Sequence, residues 1–145
     1  IEKELNKIII SGASKTKLIP ILGDVTDRNR VTQTLSFYNI NTIYHAAAYK
    51  HVPLVEHNVI EGVRVNTLGT YTVATLAMEY GIDSFILIST DKAVRPTNVM
   101  GASKRFAELV LQGLAKGTSK TKFSMVRFVM YWAHPVRLFL YFVSK

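Results

Sequence analysis

From Ser89 to Lys104 the chain reads Ser89-Thr90-Asp91-Lys92-Ala93-Val94-Arg95-Pro96-Thr97-Asn98-Val99-Met100-Gly101-Ala102-Ser103-Lys104. A carboxylate and an amine stand side by side at Asp91 and Lys92, which is a pairing suited to proton transfer. Alone, such a pair reads equally as a solvated loop ion pair. Its setting points elsewhere. Phe85-Ile86-Leu87-Ile88 reads as a buried parallel strand, and open α/β sheets present their ligand crevice at the carboxyl ends of strands. A Pro-containing loop then leads into a helix beginning near Gly101, and Lys104 falls one turn beyond Met100 on the same helix face.

The elements that must hold this segment alternate between strand and helix. Ile1 to about Lys7 reads as the end of a helix, and Leu18–Leu22 as a short strand with Pro20 near its start. Asp27 is a fair N-cap for a helix through about Tyr38, and Thr42–His45 is the next strand. A loop or short helix follows. A long helix is expected from about Gly62 to Tyr80, with Val65, Leu68, Leu76 and Tyr80 recurring at helical spacing and Gly81 ending it. After the Ser89–Lys104 segment, a helix from about Ala102 to Lys116 is expected to bury Phe106, Leu109, Val110 and Leu114. A strand then begins at Phe123. This alternation implies an α/β fold with a parallel sheet and right-handed crossovers. No Gly-rich pyrophosphate turn of the G-x-G-x-x-G kind occurs anywhere in the sequence.

Met100-Gly101-Ala102-Ser103-Lys104, preceded by Thr90-Asp91-Lys92-Ala93-Val94-Arg95-Pro96-Thr97-Asn98-Val99, resembles the nucleotide-sugar 4,6-dehydratases of the CapD-like polysaccharide biosynthesis family. These are extended short-chain dehydrogenase/reductases in which Met replaces the Tyr of the usual YxxxK. The resemblance extends through Gly23-Asp24-Val25, His45-Ala46-Ala47-Ala48-Tyr49-Lys50-His51-Val52-Pro53 and Asn66-Thr67-Leu68-Gly69-Thr70, over about residues 1–128. It implies a partial Rossmann-type doubly wound parallel sheet lacking the first two strands, and NAD or NADP as cofactor. The missing second strand leaves the choice between the two dinucleotides open.

The same resemblance distributes roles. Asp24 would meet the adenine amino group, with Val25 giving backbone contacts, although a turn Asp is an equally simple reading of Asp24. Ala46, Ala47 and Ala48 would let the backbone approach the cofactor ribose and nicotinamide. Asn66 would shape the active site, and Lys104 would hold the nicotinamide ribose, unless it merely pairs with Glu108 at i+4. Thr90 would touch the sugar near C4, Lys92 would remove the C5 proton, and Asp91 would protonate the departing C6 oxygen. Lys50 and Asn98 complete the expected contacts to a UDP-sugar. Met100 cannot take a proton, so the usual Tyr role passes to another group. The family further implies a cytoplasmic, homo-oligomeric parent, tethered in some members to the inner membrane.

Composition narrows the alternatives. There are no cysteines, so thiolate metal sites and disulfides are excluded. His45, His51 and His57 recur at a spacing that shares no helix face, and no carboxylate cluster joins them, so no metal site is expected. The net charge of +8 is spread over dispersed Lys and Arg without a basic run, which argues against nucleic acid. The opening Ile1-Glu2-Lys3-Glu4-Leu5 is no signal peptide and reads as part of something longer.

Residues 129–145 depart from the family. There the pattern GNVLGSSGS-V/I-PLF gives way to Val129-Met130-Tyr131-Trp132 and a tail interrupted by His134, Pro135 and Arg137, too short for a membrane span. One inserted G before codons that encode Val129–Lys145 yields GNVLGSSGSVIPLFRKQ. Met130 and Trp132 have one codon each, and with Tyr131 they force Val-Leu in the shifted frame. Residues 1–128 are thus expected to be a partial NAD(P)-binding domain and 129–145 a frameshifted tail. A catalytically inactive remnant is the rival expectation to an enzyme fragment.

Overall fold

The computed structural model describes residues 18–117, 120–129 and 137–141. Its sheet has the order β1-β2-β3-β4, with β1 Thr42–His45, β2 Ser84–Thr90, β3 Lys122–Val129 and β4 Arg137–Tyr141. The first three strands run parallel, His45 lying opposite Leu87 and Ser89 opposite Arg127. β4 joins the β3 edge antiparallel. The helices are α1 Arg28–Phe37, α2 Val52–His57, α3 Val59–Val63, α4 Gly69–Glu79 and α5 Val99–Ala115. This is the expected α/β architecture of Rossmann type, with every parallel connection made through helix.

Local chemistry accounts for the element ends. Asp27 caps α1 by accepting from the Arg30 amide at 3.0 Å. At the end of α4, Gly81 takes φ +65, the amide of Ile82 donates to Ala77 O, and that of Gly81 donates to Met78 O. This Schellman pattern needs the left-handed backbone that glycine adopts without a Cβ clash. In β2, Phe85, Leu87 and Ser89 are buried while Ile86 and Ile88 are half-buried. Phe85 and Leu87 join Val73, Leu76 and Ala77 of α4, Ala107 and Leu111 of α5, and Phe123 and Met125 of β3 in one core.

Several expectations are corrected. Leu18–Leu22 forms no strand, and Leu22 is almost wholly exposed. No described strand lies beside it and Pro20 has no N–H, so ladder bonds are lacking; the Leu22 carbonyl accepts instead from Arg30 Nε at 3.0 Å. The long helix is three pieces, because a π-helical turn, Arg64–Leu68, joins α3 to α4. Its wider i→i+5 bonding shifts the phase, so Val65 and Leu76 are buried while Leu68 and Tyr80 are exposed. In α5 the inward face is Met100, Ser103, Lys104, Ala107, Glu108 and Leu111, so Phe106 (59% exposed) and Leu109 point outward. The apolar pattern misled there because the buried face carries polar side chains with partners. The helix end expected at residues 1–7, and the tail at 130–136 and 142–145, lie outside the described residues. Among the described residues no helix is long and apolar enough to cross a membrane.

Candidate active site

β2 delivers Thr90 to the carboxyl edge of the sheet, and the chain turns at once into a 3-10 helix, Asp91–Ala93. Thr90 Oγ1 donates to Asp91 Oδ1 at 2.9 Å, and the Lys92 amide donates to the same carboxylate oxygen at 3.0 Å. Lys92 Nζ lies 3.8 Å from Asp91 Oδ1, with its side chain 40% exposed. Thr90, Asp91 and Lys92 therefore form one hydrogen-bonded turn.

This turn is packed against the start of α5. A Cβ at position 101 would collide with the Lys92 carbonyl oxygen, so Gly101 is what lets the turn and the helix meet. Asn98 Oδ1 caps the helix through the Gly101 amide at 2.8 Å, and Glu56 of α2 accepts from the Val99 amide at 2.6 Å. Between turn and helix, Arg95 holds φ 51, a left-handed conformation that a residue preceding proline rarely takes.

Lys104 is 5% exposed, and its Nζ donates to Ile88 O at 2.8 Å, two residues before Thr90. Burial pushes this amine down to about 8, although the Glu108 carboxylate pulls the other way. Glu108 is itself fully buried. Burial pushes its carboxyl up, but hydrogen bonds from Arg127, Arg105 and Ser89 outweigh that and hold it below the usual range. Met100, one turn before Lys104, is buried and presents only a thioether.

At the end of β1, Ala46 is exposed and Ala47 and Ala48 are half-buried, so the backbone there is open to a ligand. Asn66 sits in the π-helical turn, fully buried. Its Oδ1 accepts from the Tyr49 amide at 2.7 Å, and its Nδ2 donates to Tyr49 O at 3.0 Å and to Ser103 Oγ at 2.9 Å. Asn66 thus fastens the loop after β1 to α5, and its polar atoms are engaged within the protein. Lys50, on that loop, lines a cavity of about 460 Å³ with Ala48, Tyr49, Leu54, Asn58 and Glu61. Thr90, Asp91, Lys92 and Asn98 are not among its lining residues.

Asp24 lies apart, on the surface. Its Oδ1 accepts from the Thr26 amide at 2.8 Å and from Thr26 Oγ1 at 2.9 Å, and Arg64 Nη2 approaches Oδ2 at 3.4 Å. The Thr26 amide, more than Arg64, keeps this carboxyl below its ordinary value. Val25 packs against the core. Among the described residues no group of His, Asp and Glu is gathered to hold a metal. Sequence reading passed over Glu56, Ser89 and Arg127. Glu56 carries no sequence signal, since it reaches α5 from a helix 43 residues away.

The family model described as "Polysaccharide biosynthesis protein" matches residues 1–130. The capsular polysaccharide biosynthesis protein CapD of Staphylococcus aureus is 45% identical over 128 residues, which cover 88% of this chain and 21% of that protein. The inverting UDP-N-acetylglucosamine 4,6-dehydratase of Campylobacter jejuni (strain 81-176) is 35% identical over 109 residues, 74% of this chain and 32% of that protein. Among solved structures, MoeE5 in complex with UDP-glucose and NAD superimposes with a TM-score of 0.73 at 21% identity, over 89% of this chain and 51% of that one. The chain therefore spans roughly a fifth to a third of these curated relatives. With the family pattern matched along nearly its whole length, the chain belongs to the polysaccharide biosynthesis protein family.

Proposed function

We propose that this chain is the catalytic segment of a nucleotide-sugar 4,6-dehydratase, a lyase that converts UDP-N-acetylglucosamine to a 4-keto-6-deoxy sugar nucleotide with inversion at C5. The observation that carries the reading is the Thr90-Asp91-Lys92 turn at the end of β2, held beside the buried amine of Lys104. The 35% identical relative named for this reaction supports it. A UDP-sugar substrate suits a cytoplasmic enzyme.

The residues present fit an NAD or NADP at two of its ends. The Asp24 carboxylate suits the adenine amino group with Val25 beside it, while the open Ala46–Ala48 backbone and the Lys104 amine suit the nicotinamide ribose. Asn66 holds that loop in place. No described segment supplies a glycine turn for the pyrophosphate. When bound, the nicotinamide would accept hydride from sugar C4, which makes the C5 proton acidic, and would return it to C6 after water has left, while a proton is restored at C5.

Thr90 holds the sugar near C4 while Lys92 takes the C5 proton. Asp91 gives a proton to the C6 oxygen, and the C–O bond breaks to release water. Lys92 is partly solvated beside Asp91, so a sugar seated over the turn must exclude water for its amine to act as base. Lys50 and Asn98 are the further contacts to the UDP-sugar. The test uses an enzyme carrying this segment within a complete dinucleotide-binding domain, assayed in deuterated water. Lys92→Ala should lower turnover about 10²–10⁴-fold with sugar-nucleotide binding retained. Asp91→Asn should slow water loss, and Met100→Leu should be mild because volume is kept. Near-parental turnover in Lys92→Ala, with deuterium still entering C5, would remove Lys92 from the base role.

A further inference from the structure

Ser89 and Arg127 lie opposite one another on β2 and β3, and both donate to one carboxylate, that of Glu108 on α5. Ser89 Oγ reaches Oε1 at 2.7 Å, Arg127 Nε reaches Oε1 at 2.8 Å, and Arg127 Nη2 reaches Oε2 at 2.6 Å. Arg105 Nη1 adds a bond to Oε2 at 2.8 Å. One helical turn earlier, Lys104 donates not to Glu108 but to Ile88 O. Consecutive residues of β2, Ile88 and Ser89, are therefore gripped by consecutive turns of α5, and the next residue of the strand is Thr90.

An ion pair of this depth is a poor way merely to hold a helix on a sheet. Desolvating a carboxylate costs several kcal/mol before its partners compensate, and Ala107 and Leu111 already bury the apolar part of this helix face. What apolar contacts cannot do is fix direction. A forked arginine and a hydroxyl on one carboxylate set the sliding and rotation of α5 against two strand ends at once.

We propose that Glu108 is a positioning residue that holds the Lys104 ammonium and the Thr90 end of β2 in fixed relation, with Arg127 as its counter-ion. That Lys104 and Thr90 work in the reaction rests on the dehydratase reading. The contact geometry does not, so either can fail alone.

The titratable and charged groups around the Lys104–Glu108 pair are His45 at the end of β1, Arg105 on α5 and Arg127 on β3. Lys104 can be followed in the full 145-residue chain by NMR of ¹³Cε-labelled lysine, with Lys104→Arg assigning the signal. Glu108→Gln should lower the Lys104 titration midpoint by about one unit, because a nearby negative charge is lost. Arg127→Gln should raise it, because the Glu108 charge is then less neutralised. Simple loosening of the fold would instead carry Lys104 upward, towards an ordinary lysine, in both variants. An unchanged or raised midpoint in Glu108→Gln would overturn the assignment. If that variant does not fold, Arg127→Gln with the parent's circular dichroism, urea midpoint and hydrogen-exchange protection at Lys104, which together exclude loosening, decides: a rise supports the role, and an unchanged or lower midpoint, or a rise that comes with lost protection, overturns it.

Discussion

The protonation of His45 can be read from one hydroxyl. Thr70 Oγ1 gives its single proton to Asn66 O at 2.7 Å, so His45 Nε2, 3.1 Å away, must be the donor in their contact. Nε2 therefore carries a proton, and the neutral ring is the Nε2–H tautomer. Burial pushes its pKa down to about 4, and the Lys104 charge adds to the shift. Because the folded value lies below the unfolded one, the unfolded chain binds the extra proton, and stability falls as pH drops from about 6.5 towards 4. The loss should reach up to ~3 kcal/mol. Asp24, Glu61 and Glu108 are shifted the same way, but they act only below the ordinary carboxylate range. Among the described residues, the interval from pH 6.5 to 4.5 is therefore where the shift of His45 is felt. Urea unfolding across it should show a slope that His45→Gln flattens; an equal slope in the variant would refute this account.

Among the elements, the π-helical turn carries most of the site's geometry. It holds Asn66 against Tyr49, and it also sets the phase in which α4 buries Val73 and Leu76. Deleting the exposed Leu68 would restore an uninterrupted α-helix but turn α4 by about 100° relative to α3. Thermal unfolding of that deletion should show near-normal helical signal with a much lower midpoint. Leu68→Ala should stay within about 0.5 kcal/mol of the parent. If the deletion melted like the parent, the turn would have no such role. This same turn shows what sequence could not carry. Thr42–His45 was legible to the residue because Asn41 precedes it and three alanines, poor strand formers, follow it, and the α1 cap was legible because Asp27 is a local signal. The buried face of α5 was not legible, since Ser103, Lys104 and Glu108 look solvent-facing until Asn66 of the π-helical turn, β2 and β3 supply their partners. Thr90, Asp91 and Lys92 stand out as candidates by motif, whereas Glu56 and Arg127 make contacts over distances that no local pattern records.

For the molecule as a whole, the outward faces of the helices remain strongly apolar. Ile60 (86% exposed), Val63, Tyr71, Phe106 and Leu109 project from α3, α4 and α5. Apolar surface of this kind is what an interface between subunits uses, and it suits the homo-oligomer that the family resemblance leads one to expect. In a complete enzyme carrying this segment, Phe106→Glu should shift sedimentation towards smaller species without lowering the melting temperature, since Phe106 lies outside the core; unaltered sedimentation would place the interface elsewhere. The parallel register has a kinetic side as well. Thr42 pairs with Ser84 and Ser84 with Lys122, so each ladder joins strands about forty residues apart. The antiparallel β3–β4 pair is close in sequence but supplies neither parallel ladder, and loops of that size must close before any parallel ladder bond rewards them. The chain must search as a largely unpaired polymer and then commit two strand pairs nearly together. Stopped-flow refolding should accordingly run in milliseconds to seconds, and relaxation complete within microseconds would show that some local nucleus does the work instead.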